Sequence, residues 1–477
     1  MNSESQQPNI LMVFTDDHAA SAISAYGSTL IHTPNLDRLA DEGARLDATY
    51  CTNAICGPSR ACVLTGTYNH VNGVTTLSTH LDNRQPTFVR ALRSAGYQTA
   101  LFGKWHLGHG PAHDPVDFDD WAVLPGQGDY HDPTFLTAAG EHRETGYVTD
   151  LLTDRCVDWL ERRDRSKPFV LLCHHKAPHR PWEPAPRHRH AFDDAEFPEP
   201  ASFDDDYAGR PAAAAARMRI DRDFKPRDLK VDPPPGLEPA AYKQWAYRRY
   251  LQDYLGCVLS VDESVGRLLD TLDDHGIADN TLVVYSSDQG FFLGEHGWFD
   301  KRFMYEESFR MPMLVRFPRT IRPGHTTHAM ASNVDFAPTF LDFAGLPIPD
   351  HYQGYSLRPV LEGEVPHNWQ DAVYHRYWMH QDIPHNVCAH YGIRTASHKL
   401  IHYYGHPLNQ AGANGPPTEP YWELYDLAVD PYELTNLYGS PGTEALTADL
   451  RQRLDALQAR IGDTPFEPNL AADPLTA

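Results

Sequence analysis

The sequence predicts an α/β fold: a large mixed, mostly parallel sheet flanked by helices, followed by a smaller C-terminal α+β subdomain. Three observations carry this reading. Short apolar runs each stop at polar, chemistry-bearing residues; segments with helical periodicity separate those runs; and beyond residue 365 the texture changes to alternating, turn-punctuated stretches.

The runs come first. NILMVFTDDH (9–18) ends at Asp16, Asp17 and His18, and YQTALFGKWHLG (97–108) ends at Lys104 and His106. KPFVLLCHHKAPHRPW (167–182) ends in His174, His175, Lys176 and His179, and NTLVVYSSDQG (280–290) ends at Asp288 and Gln289. Near-continuous apolar runs are the mark of strands buried on both faces of a parallel sheet. Between them, TPNLDRLADEGARL (33–46) has a Thr-Pro start and one apolar helical face, and the stretch 247–276 reads as a long amphipathic helix closed by Gly276. Ligands of open α/β sheets gather at the carboxyl ends of the strands. The four polar ends are therefore expected to converge on one site.

A catalytic domain is expected over 1–365, with the Pro-, Asp-, Arg- and Ala-rich stretch 183–240 as a long excursion near the site. The C-terminal subdomain is expected over 366–477, with strands in AVYHRYW, YGIRTASHKLIHYY and WELYDLAVDPYELTNLY and a terminal helix over 443–462.

Composition narrows the function. A formal net charge of −23 argues against nucleic-acid binding and against adhesion to anionic membranes, while leaving room for a locally basic site. Seven cysteines at irregular spacing do not make a disulfide framework. The start, MNSESQQPNILMVFTDD, lacks the basic and apolar regions of a signal peptide, and no apolar segment is long enough to span a bilayer. A cytoplasmic location is the expectation.

Asp16, Asp17 and Asp288 at one sheet edge would repel one another unless a cation lay between them. Oxygen donors suit hard divalent ions, so Ca²⁺, ahead of Mg²⁺, is the expected occupant, with the Gln289 amide oxygen as a neutral ligand. Lys104, His106, His179 and Lys301 fall at or just after the same strand ends. Carboxylates around a metal, ringed by basic groups, describe a site for a tetrahedral oxyanion ester. Cys56, in CGPSRACVLTG, is expected at a helix N-terminus, where partial positive charge favours an anionic nucleophile, with Arg60 one turn along the same face. A thiolate beside a hard cation is a chemical mismatch. Zinc held by Cys51, Cys56 and Cys62 is disfavoured, because no CxxC pair accompanies them.

CGPSRACVLTG resembles the C-x-P-S-R signature of the type I, formylglycine-dependent sulfatases of the alkaline phosphatase superfamily. The resemblance continues through PNILMVFTDDH, GKWHLG, APHRPW, YSSDQGFFLGEHGWFDKR, VDFAPTFLDFAGL and ELYDLAVDPYELTNL, in the family's order. It implies that a formylglycine-generating enzyme converts Cys56 to 3-oxoalanine, whose hydrate is an oxygen nucleophile. It also implies metal ligation by Asp16, Asp17, Asp288, Gln289 and the modified Cys56, with Arg60 supporting the hydrate. Lys104 and Lys301 would bind sulfate oxygens, His106 would assist breakdown of a covalent sulfate hemiacetal, and His179 would contact the ester or leaving oxygen. Gln289 departs from the family's more frequent Asn but keeps an amide oxygen. The implied activity is hydrolysis of sulfate monoesters, of a sulfated saccharide in particular, as in the glucosamine-6-sulfatase-like branch. His375, Arg376, His385, His390 and Arg394 are candidate sugar contacts. A phosphonate monoester or phosphodiester hydrolase on the same site, and a silent sulfated-glycan-binding protein, are the rival readings.

Overall fold

The computed structural model describes residues 7–464; residues 1–6, the start of the expected catalytic domain, and 465–477, the end of the expected C-terminal subdomain, lie outside that range. Its strands are β1 (Asn9–Thr15), β2 (Ala44–Tyr50), β3 (Gln98–Lys104), β4 (Asp120–Leu124), β5 (Thr134–Thr137), β6 (Gly140–Arg143), β7 (Phe169–His174) and β8 (Thr281–Ser287). A short hairpin, β9 (Phe292–Leu293) and β10 (Phe299–Asp300), precedes β11 (Arg310–Arg316), β12 (His325–Thr327) and β13 (Ala331–Ser332). The large sheet runs β12-β2-β11-β8-β1-β7-β3-β4-β5-β6, with β13 also on β2. Its centre, β8-β1-β7-β3-β4, is parallel. β11 joins β8 and β2 antiparallel on one side, and β5 and β6 extend the other edge antiparallel.

The four apolar runs are thus four neighbouring strands. All residues of β1, β7 and β8 are buried. Alternate side chains of β1 enter opposite cores: Ile10, Met12 and Phe14 on one face, Leu11 and Val13 on the other. The second face packs on the helices Val148–Arg162 and Pro239–Asp274, and the first on Cys56–Thr65 and Phe336–Phe343. Register levels the strand ends, since Thr15 pairs with Ser287, Phe14 with His174, and Gly103 with the same His174. The polar residues that follow therefore emerge side by side.

Two element boundaries differ from the sequence reading. The helix expected over 33–46 is Pro34–Asp41, and Ala44 already belongs to β2. At Gly43 a Cβ would lie 2.3 Å from Val315 O, so the chain there must press flat on β11 rather than carry a helix. The long helix begins at Pro239, before the expected Tyr247, with proline in its first turn.

Beyond the large sheet, β14 (Ala372–Tyr377), β15 (His390–Thr395), β16 (His398–Tyr403) and β17 (Tyr421–Asp426) form a consecutive antiparallel sheet. Leu450, Leu454 and Leu457 of the helix Glu444–Ile461 cover one face. The other face continues the core of the large sheet, to which Val373, Tyr377, Ile401 and Tyr403 contribute. A buried carboxylate helps join the two: Glu423 accepts hydrogen bonds from Tyr305, Tyr421 and Tyr425 hydroxyls at 2.9, 3.0 and 2.8 Å.

Gly103 tests the alignment of the strand ends. Its φ is +115°, and a Cβ would lie 1.9 Å from His174 O. Gly103→Ala is expected to destabilise the protein by at least about 3 kcal/mol in urea unfolding. A change below about 0.5 kcal/mol would show that β3 is not pressed on β7 as described.

Candidate active site

The helix bearing Cys56 starts at that residue, after extended Ile55, and closes on left-handed Gly66 (φ 62°). All ten of its residues are buried. Arg60 ties it to three strand ends: its guanidinium donates to Asp288 Oδ2 at 2.9–3.0 Å, to Lys104 O at 3.2 Å and to Thr15 O at 3.3 Å. Ser59 Oγ donates to Asp288 O, and Asn333 Nδ2 to Ser59 Oγ at 2.9 Å. Arg60 thereby joins the Cys56 helix to the strand ends.

The strand ends then supply the carboxylates. Asp17 adopts a left-handed backbone (φ 71°), and its N–H donates to Asp288 Oδ1 at 3.2 Å. Tyr254 OH donates to Asp17 O at 2.7 Å. Gln289 Nε2 donates to Asp17 Oδ1, and among the described residues neither Gln289 Oε1 nor Asp16 Oδ1, both buried, has a hydrogen-bond partner. Ligand atoms of Asp16, Asp17 and His179 lie within 4.8 Å of one another. Orphaned, buried oxygens beside clustered carboxylates fit the hard divalent cation that the sequence implies.

Cations close the pocket. Lys104 Nζ is ion-paired with Asp16, and Lys301 Nζ lies 2.6 Å from the Asp17 carboxylate. Burial opposes charge on Lys301, yet Asp17 and Asp300 hold it above its usual range. His179 Nε2 sits 3.7 Å from Asp17 Oδ2. Burial, then the charges of Lys104 and Lys301, keeps both His106 and His179 well below the ordinary histidine range, so both rings are neutral. The Cys56 thiol departs from the sequence expectation. Burial dominates its environment, Lys301 only partly offsets this, and the thiol is pushed up to about 11. Burial thus disfavours a thiolate here despite the helix N-terminus.

The structure thus brings Asp16, Asp17, Cys56, Arg60, Lys104, His106, His179, Asp288, Gln289 and Lys301 to one sheet end. Of the five candidate sugar contacts, only His385 joins it. His385 pairs with Asp382 at 2.6 Å and Asp300 at 3.2 Å, and Asp300 precedes Lys301. The other four make different contacts. Arg376 pairs with Asp463 at 2.6 Å and lies over the Trp378 ring. His375 Nε2 accepts from Ala54 N at 3.1 Å, bracing the approach to Cys56. His390 is wholly buried, stacked on Tyr377 and Phe303. Arg394 pairs with Glu306 over the Tyr50 ring and faces a separate cavity.

Sequence reasoning missed a charged wall around His385. Arg180 bridges Asp228 and Asp300 (3.3 Å to the latter), and Arg302 lies 3.8–3.9 Å from Asp300 and Asp382. Asp228 belongs to the 183–240 excursion, which also meets this wall where Arg217 N donates to His385 O at 2.8 Å. The run Asp300-Lys301-Arg302 was the available signal.

Buried carboxylates, lysines and neutral histidines gathered at the carboxyl end of a parallel sheet suit a hydrolase of anionic esters. The chain belongs to the sulfatase family and is a sulfuric ester hydrolase: the Sulfatase pattern matches residues 8–346, and the pattern "N-sulphoglucosamine sulphohydrolase, C-terminal" matches 294–460. It is 44% identical to an N-acetylglucosamine-6-O-sulfatase of Bacteroides thetaiotaomicron, over 96% of this chain and 88% of that one. The human N-acetylglucosamine-6-sulfatase is 28% identical over 98% of this chain and 88% of its own. A solved structure in complex with its substrate, D-glucosamine-2-N,6-O-disulfate, matches with a TM-score of 0.88 and 43% identity, covering 96% of this chain and 98% of that one. A phosphonate monoester hydrolase of Agrobacterium radiobacter shares the fold, with a TM-score of 0.73 at 22% identity over 95% and 96% of the two chains.

The reassignment of His390 has a measurable consequence. Burial holds His390, and His18 beside Tyr285, down at about 4. Both are neutral in the fold, whereas the unfolded chain takes up protons as pH falls through about 6.5. Stability is therefore full above that pH and is lost between about 6.5 and 4, by on the order of 3 kcal/mol per ring. His390→Phe is expected to flatten the fall; an unchanged slope in denaturant titrations would contradict this assignment.

Proposed function

We propose that this enzyme hydrolyses the 6-O-sulfate ester of a glucosamine-type sugar. The observation that carries the reading is the 0.88 TM-score match, at 43% identity across nearly the whole of both chains, to a protein bound to D-glucosamine-2-N,6-O-disulfate. Asp16, Asp17, Asp288 and Gln289 are proposed to hold the divalent cation. Carboxylates and an amide at uneven reach suit the adaptable coordination of Ca²⁺ better than the strict octahedron of Mg²⁺. A cation held there would neutralise sulfate oxygens, and Cys56 converted to a hydrated aldehyde would supply the nucleophilic oxygen that a buried thiol does not. A formylglycine-generating enzyme is the proposed maturation partner.

The side chains divide the remaining work. Lys104 and Lys301 leave their carboxylate partners to grip sulfate oxygens, stabilising charge in a pocket from which water is largely excluded. His179, neutral and beside Asp17, stands at the leaving oxygen. His106 takes a proton at Nε2. Arg60 keeps Asp288 and the helix in register with the strand ends. The wall of Asp300, Arg302, Asp382 and His385, next to Lys301, offers fixed donors and acceptors for sugar hydroxyls.

Turnover of N-acetylglucosamine-6-sulfate is expected to exceed that of a phosphonate or phosphate diester by at least about a hundredfold in kcat/KM, with Cys56→Ala inactive on both. Equal or reversed preference would replace this reading with the phosphonate one. Arg302→Ala is expected to raise KM for the sugar sulfate while leaving hydrolysis of a small aryl sulfate within about threefold. Parallel loss on both substrates would remove the wall from sugar recognition.

A further inference from the structure

The loop between β4 and β5 carries a residue that the proposed function leaves without a role. Gly126 and Gly128 are both left-handed (φ 55° and 67°), which pins Gln127 at the tip of a tight turn. Lys176 Nζ donates to Gln127 O at 3.2 Å and lies 4.7 Å from the centre of the Tyr130 ring. Tyr130 OH in turn donates to His179 O at 2.7 Å. The loop is thus tied at two points to the segment that follows β7, and the Gln127 side chain reaches between Lys104 and His106.

A glutamine amide has an acceptor end and a donor end, and its neighbours settle which is which. Lys104 Nζ donates both to Asp16 Oδ2 and to Gln127 Oε1, which turns the amide oxygen toward the lysine. Gln127 Nε2 then faces His106 Nε2 at 3.5 Å. An amide nitrogen can only donate. A hydrogen on His106 Nε2 would oppose donor to donor, so that nitrogen must present its lone pair. Among the described residues His106 Nδ1 is buried without a hydrogen-bond partner, so the contact at Nε2 is the one that distinguishes the tautomers.

We propose that Gln127 is a positioning residue that holds His106 as the Nδ1–H tautomer, with Nε2 unprotonated and free to accept a proton in the site. The inference rests on His106 acting as the proton acceptor of the proposed hydrolysis. Its left-handed backbone (φ 56°) aims the ring into the pocket from a fixed position, so the choice of tautomer is what remains to be set. Burial keeps the ring neutral, which makes that choice meaningful.

The tautomer can be read directly by nitrogen NMR on the full-length protein labelled at histidine, with the His106 signals identified by their loss in His106→Gln. Wild-type protein is expected to show protonated Nδ1 and unprotonated Nε2. Gln127→Glu replaces the amide donor with an acceptor; the proton is expected to move to Nε2, and kcat to fall about a hundredfold while KM stays within about threefold. Gln127→Met, which has neither strong donor nor acceptor, is expected to give a mixture of tautomers and about a tenfold loss in kcat, and it covers the case in which the charged variant does not fold. A protonated Nε2 in the wild type overturns the proposal. So do His106 signals that are the same in wild type and in whichever variant folds. The spectra need no turnover: a protein that cleaves no sulfate ester refutes the proposed function, while the tautomer assignment stands or falls on its own signals.

Discussion

Three buried carboxylates, Asp16, Asp17 and Asp288, leave the ends of adjacent strands in a pocket nearly closed to water. Their mutual repulsion is the constraint on which the rest of the site depends. In such surroundings a carboxylate must be paired or lose its charge. Asp17 shows the tension: burial is the largest influence on it and Lys301 the main counterweight, and it settles at about 6. Arg60 answers Asp288, Lys104 answers Asp16, and Lys301 answers Asp17. Every cation in the site is therefore poised against an anion that a bound metal would also claim.

The scaffold makes these pairings possible by register. Parallel β8, β1, β7 and β3 end level, so residues at the strand ends or a few positions beyond them, Asp288, Asp16, His179 and Lys104, meet at one site. The helix beginning at Cys56 is locked across those ends by Arg60 and Ser59. The C-terminal sheet braces it from behind, where His375 holds Ala54 and Cys62 enters the core beneath the terminal helix. The reacting position is thus fixed by both sheets at once.

Much of this was legible in the sequence, for a physical reason. Strands buried on both faces read as unbroken apolar runs, and the residues that interrupt them are the ones at the strand ends. What remained hidden depends on partners distant along the chain. The helix over 33–46 ends early because Gly43 must lie against Val315, which periodicity near Gly43 does not reveal. His390 and Arg376 read in the sequence as candidate sugar contacts, yet an antiparallel sheet sends neighbouring residues to opposite faces, and both of its faces are covered here. Gln127 carries no motif at all; only its place between Lys104 and His106 marks it.

The complete burial of the helix Cys56–Thr65 sets an order of events in the life of the molecule. If Cys56 is converted by a formylglycine-generating enzyme, as proposed, that enzyme would have to reach the CGPSR segment before the fold closes, because every residue of the segment is buried in the finished fold. Under that proposal a chain that folds before conversion would keep its Cys56 thiol shielded from the maturing enzyme, and the fraction of working enzyme would depend on the timing of folding during synthesis.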